Sequence, residues 1–213
     1  MDRHDAQQTI SLAWSGASGA QYGIRLLECL LGAGHRVYLM LSKPAQIVIA
    51  EETDLSLPGR SKEIARVLQA KFSVSEDRLQ VFGREEWNAP VASGSANIDA
   101  MVICPCSMAT VSAVAAGASK TLIERAADVM LKEGRKLVLV PREMPLSAIE
   151  LENMLRLSRG GAVICQACPG FYMRPQSVDD LVDFVVGRVL DLLDVPHDLN
   201  TRWDPGAAAP ENE

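Results

Sequence analysis

Ser11-Leu-Ala-Trp-Ser-Gly-Ala-Ser-Gly19, close to the N-terminus, is the stretch that decides the fold of this chain. It begins in a short apolar run and breaks into small residues, and an amphipathic pattern follows over residues 20–31. This order predicts a strand, a tight turn and a helix. Gly16 and Gly19 permit backbone angles and close approaches that a side chain would prevent. The turn is therefore expected to expose N–H groups at a helix start, where anions bind readily.

The composition limits the classes of protein to consider. With 213 residues, of which 48% are hydrophobic and 23% charged, the chain predicts a single globular domain with a sizeable core. A net charge of −6 and the lack of a long basic run argue against nucleic acid as the main partner. Charged residues interrupt every window long enough to cross a membrane, and residues 1–8 lack the apolar segment of a signal peptide. We therefore expect a cytoplasmic protein with flexible residues 1–8 and no membrane span.

Six apolar runs alternate with helical patterns along the chain. Continuous apolar strands that alternate with helices are typical of a parallel sheet covered on both faces. The sequence therefore predicts one domain over residues 9–195, with a three-layer, doubly wound α/β fold of the flavodoxin-like or Rossmann type. A long surface loop is expected over residues 83–97, and a polar tail over 196–213. The predicted strands are 10–14, 36–41, 79–82, 99–104, 136–141 and 162–165.

The residues that follow these strands are the unusual ones of the chain. Ligands of doubly wound sheets bind beyond the carboxyl ends of the strands, and these ends lie on one edge of the sheet. The sequence therefore predicts one composite site on that edge. It would comprise Gly16–Ser18, Ser42–Lys43, Cys106–Thr110, Arg142–Glu143 and Gly170–Tyr172.

A mononucleotide fits this site better than a dinucleotide. The first glycines fall at positions 16, 19 and 23, so the Gly-x-Gly-x-x-Gly spacing is missing, and no P-loop lysine follows. The second strand ends in Ser42-Lys43 rather than in an acid that would hold a ribose. A single phosphate, as in FMN, needs hydroxyls and a cation, although each hydroxyl taken alone could equally be a helix cap. The candidates are Ser42, Ser107, Thr110 and Arg142.

The five cysteines favour reduced thiols, because their number is odd and no export signal is present. The Cys165-x-x-Cys168 spacing could indicate a redox pair, or a metal site if Cys104 and Cys106 joined it. However, Pro169-Gly170 follows the pair, whereas a redox pair of this type opens a helix. We therefore expect buried structural thiols and no metal.

Arg188 lies on a predicted apolar stripe of the last long helix. A guanidinium on such a face needs an anionic partner. That partner is either a structural carboxylate or a ligand phosphate, and the residues leave both open. The stripe consists of Leu181, Val185, Arg188 and Leu192.

Two further charged patterns favour structural interpretations. Arg125 and Lys132 are seven residues apart with Asp128 between them, which is typical of a solvated face of ion pairs. Asp179-Asp-Leu-Val-Asp183 matches the DDxxD pattern of metal-dependent isoprenoid synthases. It follows Ser177 at a predicted helix start, however, where acidic residues interact favourably with the helix dipole.

Several separate segments, in order, resemble the UbiX-type flavin prenyltransferase family. The resemblance extends over about residues 9 to 203, nearly the whole chain. The segments are Ser-Gly-Ala-Ser-Gly-Ala-Gln-Tyr-Gly-Ile-Arg-Leu-Leu (15–27), Glu-Thr-Asp (52–54), Ile-Cys-Pro-Cys-Ser (103–107), Glu-Arg-Ala-Ala-Asp-Val (124–129), Leu-Val-Leu-Val-Pro-Arg-Glu (137–143) and Pro-Gly-Phe-Tyr-x-Arg-Pro-Gln-Ser (169–177).

The resemblance implies an activity and an assembly. Members have a flavodoxin-like, Rossmann-type fold and form homo-oligomers, dodecamers where known, with active sites at subunit contacts. They join a dimethylallyl group from dimethylallyl monophosphate to N5 and C6 of reduced FMN, without a metal. The product, prenylated FMN, is the cofactor of UbiD-type decarboxylases, including one in ubiquinone biosynthesis. Residues 9–195 would thus form a flavin-binding catalytic domain, whose choice between a monophosphate and a diphosphate donor stays open.

The resemblance also implies the site residues. Ser18 would lie near N5 of the flavin and relay a proton, Glu143 would protonate the departing phosphate, and Glu52 would lie nearby. Trp87 and Trp203 would face the allylic cation that phosphate departure leaves, with Trp203 reaching the site from the tail. The implied FMN-binding residues are Gly16, Ala17, Ser18, Ser42, Ser107, Met108, Ala109, Thr110 and Arg142. The implied prenyl-phosphate residues are Trp87, Arg125, Lys132, Tyr172 and Arg188.

Two other functions compete with this one. A flavin-dependent cysteine decarboxylase of the same fold would use a histidine after an early helix and a Pro-x-Met-Asn segment, and neither is found. A flavin-binding electron carrier would not need a second phosphate site with Arg188, nor Glu143 at a strand end. The departures from the family pattern remove no proposed catalytic side chain; they are Met108-Ala109, Gly134, Lys136 and Met173.

Overall fold

A parallel sheet of six strands forms the centre of the computed structural model, which describes residues 7–199. Most of the N-terminus that is expected to be flexible, residues 1–8, lies outside this range. Trp203 of the tail also lies outside it. The strands are β1 (Thr9–Trp14), β2 (Arg36–Leu41), β3 (Leu79–Phe82), β4 (Ala100–Cys106), β5 (Lys136–Pro141) and β6 (Val163–Ile164).

The order of the strands is β3-β2-β1-β4-β5-β6, and all neighbouring strands are parallel. This is the order of a doubly wound Rossmann-type sheet. The direction of winding reverses between β1 and β4, which pair from Ile10–Ala100 to Ala13–Ile103. Because ligands of such sheets bind beyond this reversal, the turn after β1 lies at the expected binding position. The predicted fold class is confirmed.

Within residues 7–199, seven α-helices cover the two faces of the sheet, and none is long and apolar enough to cross a membrane. Four helices pack on one face: α1 (Ala20–Gly32), α2 (Lys43–Glu52), α3 (Ser61–Phe72) and α7 (Val178–Leu192). Three pack on the other: α4 (Met108–Ala115), α5 (Leu122–Lys132) and α6 (Ala148–Arg159).

The sheet divides the core in two, because side chains along a strand alternate between its faces. In β1, Ile10 and Leu12 belong to the first core and Ala13 to the second. In β4, Val102 belongs to the first core and Ile103 to the second. All five side chains are fully buried. Burial on both faces explains why the strands are continuous apolar runs in the sequence.

Serine side chains begin four of the helices. Each accepts a hydrogen bond from the backbone N–H three residues later, which satisfies one of the unpaired donors of the first turn. These N-caps of α2, α4, α6 and α7 are Ser42, Ser107, Ser147 and Ser177.

The acidic motif at the start of α7 has a structural role. The carboxylate of Asp180 accepts from the backbone N–H groups of Gln176 and Ser177, at 2.7 and 3.0 Å. The carboxylate of Asp183 pairs with Arg25 of α1, with 2.7 Å between Oδ1 and Nε. The interpretation of the motif as a helix start is confirmed.

β4 is longer than the sequence predicts, because it continues to Cys106 instead of ending at Cys104. Pro105 has no N–H to donate, but its carbonyl oxygen accepts from both the backbone N–H and the hydroxyl of Ser15, each at 3.1 Å. β4 therefore stays hydrogen-bonded to the end of β1 in spite of the proline. The register between β4 and β5 shifts between Ile103 and Cys106.

The predicted loop over residues 83–97 is packed against the domain. It contains a short 3₁₀ turn over Pro90–Ala92, and Ala89 and Val91 are buried in the second core. These apolar contacts give the loop a defined position next to α5. The Gly- and Ser-rich composition indicated the loop but not its anchoring.

Candidate active site

Two glycines shape the turn after β1. A Cβ on Gly16 would overlap the ring of Pro44 at the start of α2, so the turn and this helix lie closer than a side chain would allow. Gly19 has a φ of +105°, a conformation that strains other residues. The hydroxyl of Ser15 accepts from the N–H of Ser107 at 2.7 Å. The turn is therefore held between the starts of α2 and α4.

A cavity of about 390 Å³ lies beside this turn, at the carboxyl ends of β1, β2 and β4. The helices α2 and α4 begin at the cavity, so their free N–H groups and their dipoles favour an anion there. Within it, the hydroxyls of Ser107 and Thr110 lie 3.1 Å apart. The cavity brings together five of the predicted FMN-binding residues: Gly16, Ser42, Ser107, Ala109 and Thr110.

Two cations that were not among the predicted FMN-binding residues, Lys43 and Arg84, also line the cavity. Lys43 had a signal in the sequence, because it directly follows Ser42 at a strand end. Arg84 had none, because it lies in the loop after β3. Its carbonyl oxygen accepts from the N–H of Leu122 at 2.8 Å, which brings the loop to the start of α5. Hydroxyls, helix starts and two cations together fit a single phosphate group.

Ser18, Glu52 and Arg142 form a hydrogen-bonded group at the same turn. Oε2 of Glu52 accepts from the N–H groups of Gly19 and Ala20 at 2.8 and 2.9 Å, and Nε of Arg142 donates to the carbonyl oxygen of Ser18 at 3.2 Å. Burial raises the pKa of Glu52, but hydrogen bonds from the Ser18 hydroxyl and the two amides, with the charge of Arg142, outweigh it and lower the pKa. Glu52 is thus a carboxylate bound to the backbone of the turn, next to Ser18.

Glu143 and Tyr172 follow β5 and β6 and so lie at the same edge of the sheet. Glu143 is half-buried, and its Oε1 accepts from the N–H of Met144 at 3.2 Å. The ring of Tyr172 packs edge-on against Phe184 of α7, with 5.7 Å between the ring centroids. The strand-end residues therefore share one edge, as predicted, while their individual roles stay predictions.

The cations Arg125 and Lys132 lie at opposite ends of α5. Arg125 is in the first turn and pairs with Asp128, with 2.8 Å between Nη1 of the guanidinium and Oδ2. Lys132 is the last residue of the helix and pairs with Glu133. The helical rise separates the two cations by about 10 Å along the axis. The predicted pair three residues apart is therefore present, whereas Lys132 pairs with its neighbour Glu133 instead of Asp128.

The predicted apolar stripe of α7 that contains Arg188 is wrong. The Arg188 side chain is 56% exposed, and it pairs with Asp191 one turn later. Its partner within this chain is therefore a structural carboxylate. Of the four predicted residues only Val185 is buried, and the buried face of the helix consists of Val182, Val185, Val186, Gly187, Val189 and Leu190.

A single chain does not bring the three predicted phosphate cations together. Because α5 packs in the second core and α7 in the first, Arg125 and Arg188 lie on opposite faces of the sheet. Lys132 lies near the edge remote from the cavity, since β5 begins shortly after it at Lys136, which pairs with Ala100 at the start of β4. The prenyl-phosphate site that the resemblance implies is therefore not assembled within one chain.

The two predicted tryptophans differ in what the structure shows. Trp87 lies on the loop over residues 83–97, where its side chain is 47% exposed. Its neighbour Glu86 accepts from the hydroxyl of Ser61 at 2.9 Å, which ties this part of the loop to α3. Trp203 lies outside residues 7–199. An exposed aromatic on an anchored loop can contact a ligand or another chain.

The five cysteines are free thiols. Cys104 and Cys106 are buried, and burial raises the pKa of both thiols far above the usual range. Cys165 is half-buried, but Cys168 is exposed, so the expectation of buried thiols is wrong for Cys168. Within residues 7–199, no group of three His, Cys, Asp or Glu side chains is arranged to hold a metal ion.

The chain is similar to proteins of one family. A family model described as Flavoprotein matches residues 1–190. Flavin prenyltransferase UbiX of Pseudomonas aeruginosa is 56% identical over 196 residues, which cover 92% of this chain and 94% of the relative. Flavin prenyltransferase UbiX of Thermoplasma acidophilum is 49% identical over 189 residues, which cover 89% of this chain and 96% of the relative.

Two solved structures share the fold. AnUbiX (PadA1), crystallised with FMN and dimethylallyl pyrophosphate, is 41% identical with a TM-score of 0.83, over 93% of this chain and 98% of its own. A dodecameric FMN-dependent UbiX-like decarboxylase from Escherichia coli O157:H7 is 41% identical with a TM-score of 0.82, over 92% of this chain and 100% of its own. By sequence and by fold, this chain belongs to the flavoprotein family and, within it, to the UbiX flavin prenyltransferases.

Proposed function

We propose that this protein joins the dimethylallyl group of dimethylallyl monophosphate to N5 and C6 of reduced FMN. The observation that carries the proposal is the group of Ser18, Glu52 and Arg142 on the turn beside the hydroxyl-lined cavity. An ionised carboxylate next to a serine on this turn supports proton transfer at a bound flavin, which a simple flavin carrier does not need. Membership of the family supports the same activity.

FMN fits the residues of the cavity. Ser42, Ser107 and Thr110 offer hydroxyls, and Lys43 and Arg84 offer positive charge beside the two helix starts. We infer that the FMN phosphate binds there and that the reacting edge of the ring lies along the turn, next to Ser18. The remaining proposed FMN-binding residues are Gly16, Ala17, Met108, Ala109 and Arg142.

The residues around the turn supply the acid–base chemistry. Reduced FMN, when bound, supplies N5 and C6 as the nucleophilic positions. Glu143 protonates the departing phosphate, and Glu52 accepts, through the Ser18 hydroxyl, the proton that ring closure releases. The atoms balance, because the flavin gains C5H8 while phosphate leaves with a proton in place of its prenyl group.

Departure of a monophosphate requires positive charge to stabilise the leaving group. Because Arg125 and Arg188 lie on opposite faces of one chain, we propose that further copies of the chain complete each site, in a dodecamer like that of the Escherichia coli relative. The proposed prenyl-phosphate site contains Arg125, Lys132, Tyr172 and Arg188, with Trp87 and Trp203 beside the prenyl group.

The product would be used elsewhere. Prenylated FMN is proposed to pass to a UbiD-type decarboxylase in the cytoplasm. The proposal for the enzyme itself does not depend on this partner, since the prenyl transfer can be measured with the purified protein alone.

The decisive experiment is an anaerobic incubation of the protein with reduced FMN and dimethylallyl monophosphate. We expect a flavin heavier by one C5H8 unit, detected by mass spectrometry, together with one inorganic phosphate for each flavin. Phosphate release without the heavier flavin would overturn the proposal, because it would show hydrolysis rather than prenyl transfer.

Arg188→Ala is predicted to abolish prenyl transfer while FMN stays bound. The lost guanidinium would otherwise neutralise the leaving phosphate, so we expect a decrease in turnover of at least about a hundredfold. Arg159→Ala, which removes a similar exposed cation from α6, serves as the matched control. Flavin absorbance of the purified variants checks the binding. Loss of FMN from Arg188→Ala would show that Arg188 belongs to the flavin site instead.

A flavin-dependent decarboxylase of the same fold is the second candidate, since the Escherichia coli relative is described as a decarboxylase. The structure offers this reaction little support. The buried His35 precedes β2 and so lies at the edge of the sheet remote from the cavity. Carbon dioxide release from a peptide with a C-terminal cysteine, in the presence of FMN, would favour the decarboxylase.

A further inference from the structure

Both α5 cations of the proposed prenyl-phosphate site carry their own counter-ions. The Arg125 guanidinium contacts Asp128 at 2.8 Å, and the two side chains are 34% and 35% exposed. The Lys132 ammonium contacts Glu133, and the hydrogen bond from Lys132 lowers the pKa of Glu133, which is therefore a carboxylate at neutral pH. Each of the two cations is thus paired with one carboxylate.

The loop over residues 83–97 holds the first of these pairs in place. Besides its contact with Asp128, Arg125 donates from Nε to the carbonyl oxygen of Ala92 at 3.1 Å. The guanidinium is therefore fixed between the loop and the carboxylate. A phosphate that binds Arg125 in this position must accept Asp128 as a near neighbour.

The same loop backs the second pair. A Cβ on Gly94 would overlap the carboxylate of Glu133 and would lie 2.9 Å from Nζ of Lys132, so the pair lies directly against the loop backbone. Arg135 fixes this part of the loop, because it donates to the carbonyl oxygens of Gly94 and Ala96, each at 2.7 Å. Glu133 thus lies beside Lys132 and directly against a fixed part of the loop.

Fixed counter-ions act more strongly on a more highly charged ligand. At neutral pH a diphosphate ester carries about one negative charge more than a monophosphate ester, and each nearby carboxylate repels that extra charge. The hydrogen-bonding capacity of the cations remains available to either ligand. The site would therefore distinguish the prenyl monophosphate from the prenyl diphosphate by the net charge around it. The number of hydrogen bonds that the cations can donate would not distinguish them.

We propose that Asp128 and Glu133 are specificity-determining residues that make the site prefer a prenyl monophosphate over a prenyl diphosphate. This inference rests on the proposed function, because it places the phosphate of the donor at Arg125 and Lys132. Arg188 shows a similar pairing with Asp191, but that carboxylate also contacts His197 at 3.1 Å. Its removal would disturb a second contact, so the inference is confined to α5.

The test compares the two donors in charge-neutral variants. In Asp128→Asn and in Glu133→Gln, the ratio of kcat/KM for dimethylallyl diphosphate to that for the monophosphate should rise roughly threefold to tenfold. The rise should shrink at high salt, because ions screen exposed charges. Glu152→Gln on α6 makes the same change of charge at an exposed position and should leave the ratio unchanged.

Binding provides a second measurement that does not depend on turnover. Calorimetry with inorganic phosphate and inorganic diphosphate should show the same shift in preference towards diphosphate in the two variants. An unchanged ratio, or an equal loss with both donors, would overturn the inference and assign the carboxylates a purely structural role. Failure of the unmodified protein to prenylate FMN with either donor would instead overturn the proposed function.

Discussion

Glu52 caps helix α1 from outside that helix. Gly19, the N-cap residue, has no side chain to accept from the first free N–H groups. The carboxylate of Glu52, at the end of α2, accepts from Gly19 and Ala20 instead. The sequence indicated Glu52 only through the family resemblance, because no local pattern predicts that the end of one helix caps the start of another.

Glu52→Gln is predicted to destabilise the fold at neutral pH by roughly 0.5–1 kcal/mol, since it removes a negative charge from a helix start. The folded state lowers the pKa of Glu52, so this contribution is present above the unfolded value of about 4.3 and is lost as the pH falls through the folded value. The difference between the two proteins should therefore disappear in acid. Denaturant unfolding at several pH values measures this difference in the free energy of unfolding.

Glu51→Gln is the control, because Glu51 is an exposed neighbour on the same helix. We expect it to leave the free energy of unfolding unchanged over the same pH range. A Glu52→Gln protein with the stability and pH dependence of the unmodified protein would contradict the capping role.

At the scale of elements, α1 lies unusually close to the strands beneath it. A Cβ on Gly23 would lie 2.5 Å from the carbonyl oxygen of Cys104 and 2.7 Å from Nε1 of Trp14. A bare backbone at this position therefore allows the helix to pack on β4 and on the buried indole. The sequence pattern predicted the helix but not this close approach, because glycine in a helix gives no indication of what lies against it.

Gly23→Ala is predicted to destabilise the fold by about 1–3 kcal/mol, because helix and strand must move apart. Gly32→Ala, at the end of the same helix, is the matched change, since nothing lies within 4 Å of its Cβ position. It should stabilise the protein by roughly 0.5–1 kcal/mol. Denaturant unfolding distinguishes the two, and equal effects would contradict the close-packing argument.

The starts of α2, α4 and α7 could be inferred from local sequence. The hydroxyls of Ser42, Ser107 and Ser177 each accept a hydrogen bond from the backbone N–H only three residues later. The buried face of α7 could not be inferred, because this helix offers two apolar stripes and spacing alone does not select between them. Leu181 and Leu192, on the stripe with Arg188, are only half-buried. The valines of α7 are buried in the first core instead, because they face the space between α1 and the sheet.

At the scale of the whole molecule, the parallel sheet determines which residues can meet. Parallel strands place all their carboxyl ends on one edge, so the strand-end residues could be assigned to one site from the sequence. The cations Arg125, Lys132 and Arg188 lie on helices, whose positions depend on which face each helix covers. No residue pattern showed that α5 and α7 lie on opposite faces.

The separation of Arg125 from Arg188 has a genetic consequence. If each site combines Arg125 of one copy with Arg188 of another, two different inactive variants can complement each other. Arg125→Ala and Arg188→Ala, refolded or co-expressed in equal amounts, should restore about one quarter of the sites, because random assembly joins two intact contributions that often. Formation of prenylated FMN by the mixture, with none formed by either variant alone, would show that each site combines residues of two copies. A gene carrying one of these substitutions would then be rescued by an allele carrying the other.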